Sequence, residues 1–253
     1  MNGISKNKIK YLKSLRQSKF RQKYNKFVAE NDKTALEFLK SNRYTVDEIY
    51  VLSDYAFKNE NVLVNYGKQV RVITDKEMEA ISLLKSHSPV FLVLDQLDTP
   101  AKDIDWSSYS IYLDKVQDPG NVGTIIRLAD WFGFKGVIRS PDSADFYNPK
   151  TVQSTMGSMV NVQLSTALYD EIPENISLMG ALLEGEDIKQ IQWPSTAVLV
   201  IGNESKGIHP VLQKRINQKI YIPGSQGKVA ESLNAAIACS IIASEIFHAQ
   251  LKY

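Results

Sequence analysis

Three glycine-containing loops hold the residues whose types and spacing could do chemistry. The last runs from Ile222 and Pro223 through Gly224 and Gly227 to Ser232, Leu233 and Asn234, directly ahead of an apolar stretch that predicts a helix from Ser232 to Gln250. Its glycines permit a sharp turn and close backbone approach to a ligand, while Ser232 and Asn234 put short polar groups where a helix begins. Alone, this loop reads first as a capped helix entering a core. Two earlier loops share its make: one carries Asn121, Gly123 and Arg127 after the apolar run Ser110 to Asp114, the other Gly202, Glu204 and Gly207 after Ala197 to Ile201. Open α/β sheets bind ligands at such strand ends. Arg127 there fits a phosphate or ribose clamp as well as a surface ion pair.

Several other chemistries are excluded. No Gly-x-Gly-x-x-Gly follows a predicted strand, and the sequence around Gly227 and Lys228 departs from a P-loop at Ile222 and Val229. None of the three histidines (His87, His209, His248) falls in a glycine loop as a catalytic triad would need, and none stands at metal-ligand spacing to another or to Cys239, so no metal is expected. The single cysteine excludes a disulfide framework and reads as a core thiol.

The elements that must position these loops form an α/β chain with a mostly parallel C-terminal sheet. With 253 residues, 43% hydrophobic content and 23% charge, the chain has room for two domains. Residues 1–96 alternate strands (Lys26 to Glu30, Glu48 to Leu52, Val70 to Thr74, Val90 to Asp95) with helices (Asp32 to Ser41, Asp54 to Asn65, Asp75 to Leu84) and read as a small α/β domain. Residues 97–108, with Pro100 and no apolar periodicity, read as a linker. Residues 109–253 then supply strands at Ser110 to Asp114, Gly136 to Arg139, Val160 to Leu164, Leu178 to Leu183 and Ala197 to Ile201, with helices at Gly123 to Phe132 and Asn148 to Ser154. The C-terminal helix is apolar around most of its circumference, which suits burial and a subunit interface.

Charge is unevenly spread although the net value is only +2. Lys6, Lys8, Lys10, Lys13, Arg16, Lys19, Arg21, Lys23 and Lys26 precede the first acid, Glu30, with Tyr11, Phe20, Tyr24 and Phe27 interleaved. This mix suits phosphate neutralisation with base or ribose stacking. Ile9, Leu12 and Leu15 at helical spacing suit equally a helix with a solvated basic face. No apolar run reaches the length of a membrane span and no signal peptide is evident, so a cytoplasmic location is expected.

Taken in order, the three loops resemble the SpoU (TrmH) family of RNA ribose 2′-O-methyltransferases within the SPOUT class. The resemblance rests on Asn121, Gly123 and Arg127; on Gly202, Glu204 and Gly207; and on Ile222, Pro223, Gly224, Ser232, Leu233 and Asn234, and it covers about residues 110–253. It implies a C-terminal sheet with a deep trefoil knot, an exception to the rule against threading. It also implies a homodimer and S-adenosylmethionine held near Leu183, Gly185, Gly202, Asn203, Gly207, Ile222, Pro223, Gly224 and Leu233. Arg127 would stand nearest the chemistry, with Asn121, Glu204, Ser232 and Asn234 orienting it and the ribose hydroxyl. The turn from Thr155 to Ser158 would face substrate. Residues 1–95 resemble the family's ribosomal-protein-like RNA-binding extension, with Lys6, Lys10, Lys13, Arg16, Arg21 and Lys23 as RNA contacts. A two-part surface favours structured ribosomal RNA over transfer RNA as substrate. Ala235-Ala236 departs from the family's usual Val-Ser pair, and the loop from Gly224 to Ser232 is longer than in the shortest members. A non-catalytic RNA-binding or ribosome-assembly protein of the same fold is the alternative; it would require damaged motifs.

Overall fold

The computed structural model describes residues 3–251, which divide into two compact units. The first contains two basic helices, α1 (Lys6–Ser14) and α2 (Ser18–Tyr24), then β1 (Lys26–Glu30), α3 (Asp32–Lys40), β2 (Val46–Val51), α4 (Ser53–Lys58), α5 (Glu60–Leu63), β3 (Val70–Val72), α6 (Asp75–Ile81) and β4 (Val90–Asp95). Its sheet has the order β1-β4-β2-β3, antiparallel except for the parallel pair β2 and β3. Leu12 and Leu15 are fully buried against Val28, Tyr50, Met78, Ile81, Phe91 and Val93, so the apolar stripe of α1 joins the core as its spacing predicts. Lys6, Lys10 and Lys13 are exposed, while Lys8 pairs with Glu48 of β2. The helix predicted from Asp54 to Asn65 is instead two short ones, broken at Asn59, whose side chain bonds the Tyr55 carbonyl and competes with helical pairing.

The second unit builds a six-stranded, wholly parallel sheet in the order β10-β8-β9-β5-β6-β7. Its elements are β5 (Ser110–Asp114), α7 (Pro119–Phe132), β6 (Gly136–Arg139), β7 (Gln163–Thr166), β8 (Leu178–Asp187), β9 (Val198–Gly202), α9 (Pro210–Gln213), β10 (Gln218–Tyr221) and α10 (Ala235–Gln250). Tyr112, Ile138, Leu178, Val198 and Val200 form a buried cluster with Ile208 and Leu212, as continuous apolar strands covered on both faces should. Cys239 is fully buried within α10, and burial pushes its thiol up to about 12, as befits an inert core position. Residues 97–108 are not a free linker. Ala101 and Ile104 are buried, and the backbone from Thr99 to Asp105 bonds to Leu164 and Gln163 of the same unit.

The domain boundary read from sequence also needs amendment, because Asp145–Val160, including α8 (Pro149–Ser154), belongs to the first unit. Arg21 explains much of this. Its side chain is only 2% exposed; it donates to Asp145 Oδ2 and to the carbonyls of Leu15 and Arg16, so it is an internal clasp and not the RNA contact expected of it. Tyr147 packs on Phe27 with ring centroids 4.6 Å apart. The turn from Thr155 to Ser158, expected to face substrate, has an internal role too: Thr155 is buried, and a Cβ on Gly157 would fall within 2.8 Å of the Glu37 side chain of α3. Removing one partner of a buried pair strands the other charge. Asp145→Ala should therefore destabilise this unit by about 3 kcal/mol or more, measurable by chemical denaturation.

Candidate active site

The site is assembled where β5 and β9 end side by side, Asp114 lying in register with Gly202. Beyond Asp114 the chain turns through Lys115, whose φ of 58° places a non-glycine residue in the left-handed region. This strain is held from three sides. Ser140 Oγ accepts from the Lys115 amide at 3.0 Å, Ser143 Oγ accepts from the Val116 amide at 3.0 Å, and Asn203 Nδ2 donates to the Lys115 carbonyl at 2.8 Å. Buried Asp114 accepts from the His209 amide at 2.6 Å, tying the same turn to the chain after β9.

Asp118 caps α7 by accepting from the Asn121 amide, with Pro119 in the first turn. The helix therefore starts four residues earlier than predicted, and Asn121 and Gly123 lie on it. Asn121 Nδ2 donates to Glu204 Oε1 at 2.8 Å, and Asn121 Oδ1 accepts from Asn234 Nδ2 at 3.0 Å. Asn234 Oδ1 in turn accepts from the amides of Ala236 and Ile237 and so caps α10. A single relay, Asn234 to Asn121 to Glu204, thus joins all three loops. Because each amide uses both ends, its rotamer is defined by its neighbours.

The structure does not bring every expected residue into this relay. Ser232 is exposed, two residues before the cap, so α10 begins at Ala235 and not at Ser232. Arg127 is exposed, and no side chain among the described residues bonds its guanidinium. As the ninth residue of α7 it stands about 9 Å along the axis from Asn121 and about 120° around it, about two turns into the helix. It is a charged donor group with its full bonding capacity open. Asn203, expected at the cofactor, spends its side chain within the loop, on Lys115 and on the amides of Ser205 and Lys206. Sequence reasoning did not single out Asp114, Ser140 or Ser143; their positions just beyond two apolar strands were the only signal.

The remaining expected cofactor residues form a surface with little side-chain bulk. A Cβ on Gly202 would lie 2.4 Å from the Gly207 carbonyl carbon and from the Ile208 nitrogen, so only glycine permits this loop to close, as it does through paired Asn203 and Gly207 backbone bonds. Gly185, on the far half of β8, similarly lets the Lys219–Ile220 backbone of β10 pass close by. One residue beyond β10, Ile222 is half-buried, and the chain is exposed from Pro223 to Asn234. Leu183 on β8 (68% exposed) and Leu233 within this segment (46%) present exposed apolar side chains. Apolar side chains next to polar main chain at strand ends fit an adenosine-bearing ligand. No group of acidic, histidine or cysteine side chains among the described residues could hold a metal ion.

Comparison with known proteins agrees with this arrangement. The SpoU rRNA Methylase family matches residues 108–244, and an MRM3-like substrate binding domain matches residues 6–91. A Bacillus subtilis protein named 23S rRNA (guanosine(2553)-2′-O)-methyltransferase RlmP is 30% identical over 93% of this chain and 94% of its own length. The crystal structure of an AdoMet-bound rRNA methyltransferase from Sinorhizobium meliloti is 26% identical, with a TM-score of 0.86 over 98% of this chain and 97% of that one. The AviRb methyltransferase of Streptomyces viridochromogenes, in complex with AdoMet, shares the fold at a TM-score of 0.84, 21% identity and coverage of 98% and 99%.

Proposed function

The chain belongs to the SpoU rRNA methylase family, and we propose that it transfers a methyl group from S-adenosylmethionine to a ribose 2′-hydroxyl of ribosomal RNA. The observation that carries this reading is the relay from Asn234 through Asn121 to Glu204, which draws the three family loops into one bonded site beside an open guanidinium. A non-catalytic protein of this fold would have no need of that intact constellation.

The cofactor supplies an electrophilic methyl on a sulfonium, and the protein's task is to hold a ribose oxygen in line with it. Leu183, Gly185, Gly202, Gly207, Ile222, Pro223, Gly224 and Leu233 would hold the cofactor, chiefly through main chain and apolar contact. Asn203 serves that surface indirectly, by fixing the loop. Arg127 would clamp the phosphate beside the target ribose with its guanidinium donors and favour the developing alkoxide. Glu204 has a second carboxylate oxygen able to accept from the 2′-hydroxyl, while Asn121 and Asn234 keep that carboxylate in place. Ser232, in the exposed segment before α10, would contribute a hydroxyl to the same orientation.

Two finer features belong to this proposal. The C-terminal segment would be threaded as a trefoil knot, a reading supported by family membership and by the placement of β8 between β9 and β10. The active form would be a homodimer, supported by the packed pair α7 and α10, which leaves Trp131 77% exposed and Ile237 53% exposed. Lys6, Lys10, Lys13, Arg16 and Lys23, all exposed, would meet RNA phosphates in the first unit. We place the reaction in the cytoplasm, with the ribosomal substrate; among the described residues no helix is long and apolar enough to cross a membrane.

Labelled methyl transfer from S-adenosylmethionine to unmodified RNA, separated into ribosomal and transfer fractions, tests the reading. A labelled 2′-O-methyl nucleoside in the ribosomal fraction is expected. Label on a base, or no label with cofactor bound and assembling ribosomal particles also supplied, would overturn it. Sedimentation equilibrium of the same preparation should give twice the chain mass.

A further inference from the structure

Of the three aromatic residues of the basic helices, only Tyr11 packs against the core that holds the apolar stripe of α1. Tyr24, the last residue of α2, is 39% exposed; Tyr11 and Phe20 are half-buried. Tyr11 meets Tyr24 edge-on, with centroids 5.0 Å apart at 81°, and Phe20 lies nearly parallel to Tyr24 at 6.4 Å and 12°. The Tyr24 ring is thus braced from two sides, and Asn25 in the left-handed conformation ends the helix directly behind it. Each ring also carries an ammonium: Lys8 over Tyr11 at 4.7 Å, Lys19 over Phe20 at 5.0 Å and Lys23 over Tyr24 at 5.4 Å.

The charges divide this cluster into an inner and an outer edge. Lys8 is paired with Glu48, and Lys26 with Asp47 and Asp95. The same two carboxylates of β2, with burial as the larger cause, push the Tyr11 hydroxyl up to about 12. The inner edge is therefore neutralised and anchored. Lys19 and Lys23, on the outer edge, have no acidic partner among the described residues, and no acid occurs in the chain before Glu30. A pre-ordered aromatic cluster whose outermost ring, Tyr24, is exposed beside unpaired ammonium groups matches an unstacked base attached to its phosphates; duplex RNA hides its base faces and would engage only the lysines.

We propose that Phe20 and Tyr24, braced by Tyr11, form a stacking platform for an unpaired nucleotide of the RNA substrate, with Lys19 and Lys23 on its flanking phosphates. This rests on the methyltransferase reading for the identity of the RNA, and it adds that the first unit selects single-stranded nucleotides rather than helical shape alone. The platform would make a loop, bulge or strand end a required part of the substrate.

The test uses the full chain and a single-stranded RNA oligonucleotide carrying 2-aminopurine, whose fluorescence is quenched by stacking, alongside the same oligonucleotide in a blunt duplex. The single strand should be quenched and bound more tightly. Tyr24→Leu should weaken that binding by about 5-fold to 100-fold and relieve the quenching, without changing the slope of affinity against salt. The double change Lys19→Gln with Lys23→Gln should instead lower the salt slope by about 1.4 and keep the quenching of bound RNA. Tyr24→Phe should bind like the unchanged protein, which separates loss of the ring face from loss of fold. Equal affinity for strand and duplex, or binding unaffected by Tyr24→Leu, would overturn the proposal. If the protein binds neither RNA form yet transfers methyl to ribosomal RNA, the platform fails while the methyltransferase reading stands. The opposite result, RNA stacking with no S-adenosylmethionine binding, sinks that reading and leaves the platform.

Discussion

Arg127→Ala is expected to lower the rate of methyl transfer by about 100-fold to 1,000-fold, the usual loss when a charged donor to a developing oxyanion is removed. S-adenosylmethionine affinity should change by no more than about twofold, because the expected cofactor residues lie on the far half of β8 and in the segments that follow β9 and β10, and not on α7. Stability should move by no more than about 0.5 kcal/mol, since the side chain is exposed and unbonded. Arg127→Lys should recover only part of the activity: an ammonium restores the charge but not the paired donors that fit a phosphate. Single-turnover transfer with saturating cofactor, together with calorimetric titration of the cofactor, checks all of this. Loss of cofactor binding in the alanine variant would remove Arg127 from the substrate side of the site.

A second large effect is expected from one methyl group. Gly202→Ala places a carbon 2.4 Å from backbone atoms of Gly207 and Ile208, which no side-chain rotation can relieve. The loop must open, moving Glu204 away from Asn121 and breaking the relay, and a displacement of about 1 Å in such a site costs about 100-fold in rate. Both cofactor binding and transfer should fall together, unlike the separated effects at Arg127. Gly207→Ala offers a control in the same loop. There the space is open and only the left-handed φ of 67° is strained, so a penalty of about 1–2 kcal/mol is expected without a collision. Titration calorimetry and transfer assays on the two variants distinguish them. Wild-type affinity in Gly202→Ala would show that the closed loop is unnecessary.

Much of this site was legible because the apolar strands are nearly continuous. Ser110–Asp114 and Val198–Gly202 stand out as buried runs, and the polar residues after them are what a parallel sheet presents at its C-terminal edge. Helix starts were harder. Asp118 and Pro119 carried the correct signal for α7, but Gly123 looked like loop, and tertiary packing overrode that local preference. At α10 both Ser232 and Asn234 could cap; the partner that decides between them is Asn121, more than a hundred residues away. The short strand Gln218–Tyr221 escaped detection because only Ile220 in it is fully buried. Arg21 misled for a related reason. Among nine basic residues nothing local distinguishes the one whose carboxylate arrives with Asp145.

That late arrival bears on how the protein is made. Asp145 and Tyr147, the partners of Arg21 and Phe27, are synthesised only after β5, α7 and β6. At ordinary elongation rates the wait for the segment ending at Val160 is about 3–12 s, far longer than helix or hairpin formation. Until then the only partners of Arg21 among the described residues already made are the carbonyls of Leu15 and Arg16. The first unit is therefore complete only after the first loop of the active site, residues 121–127, has been made.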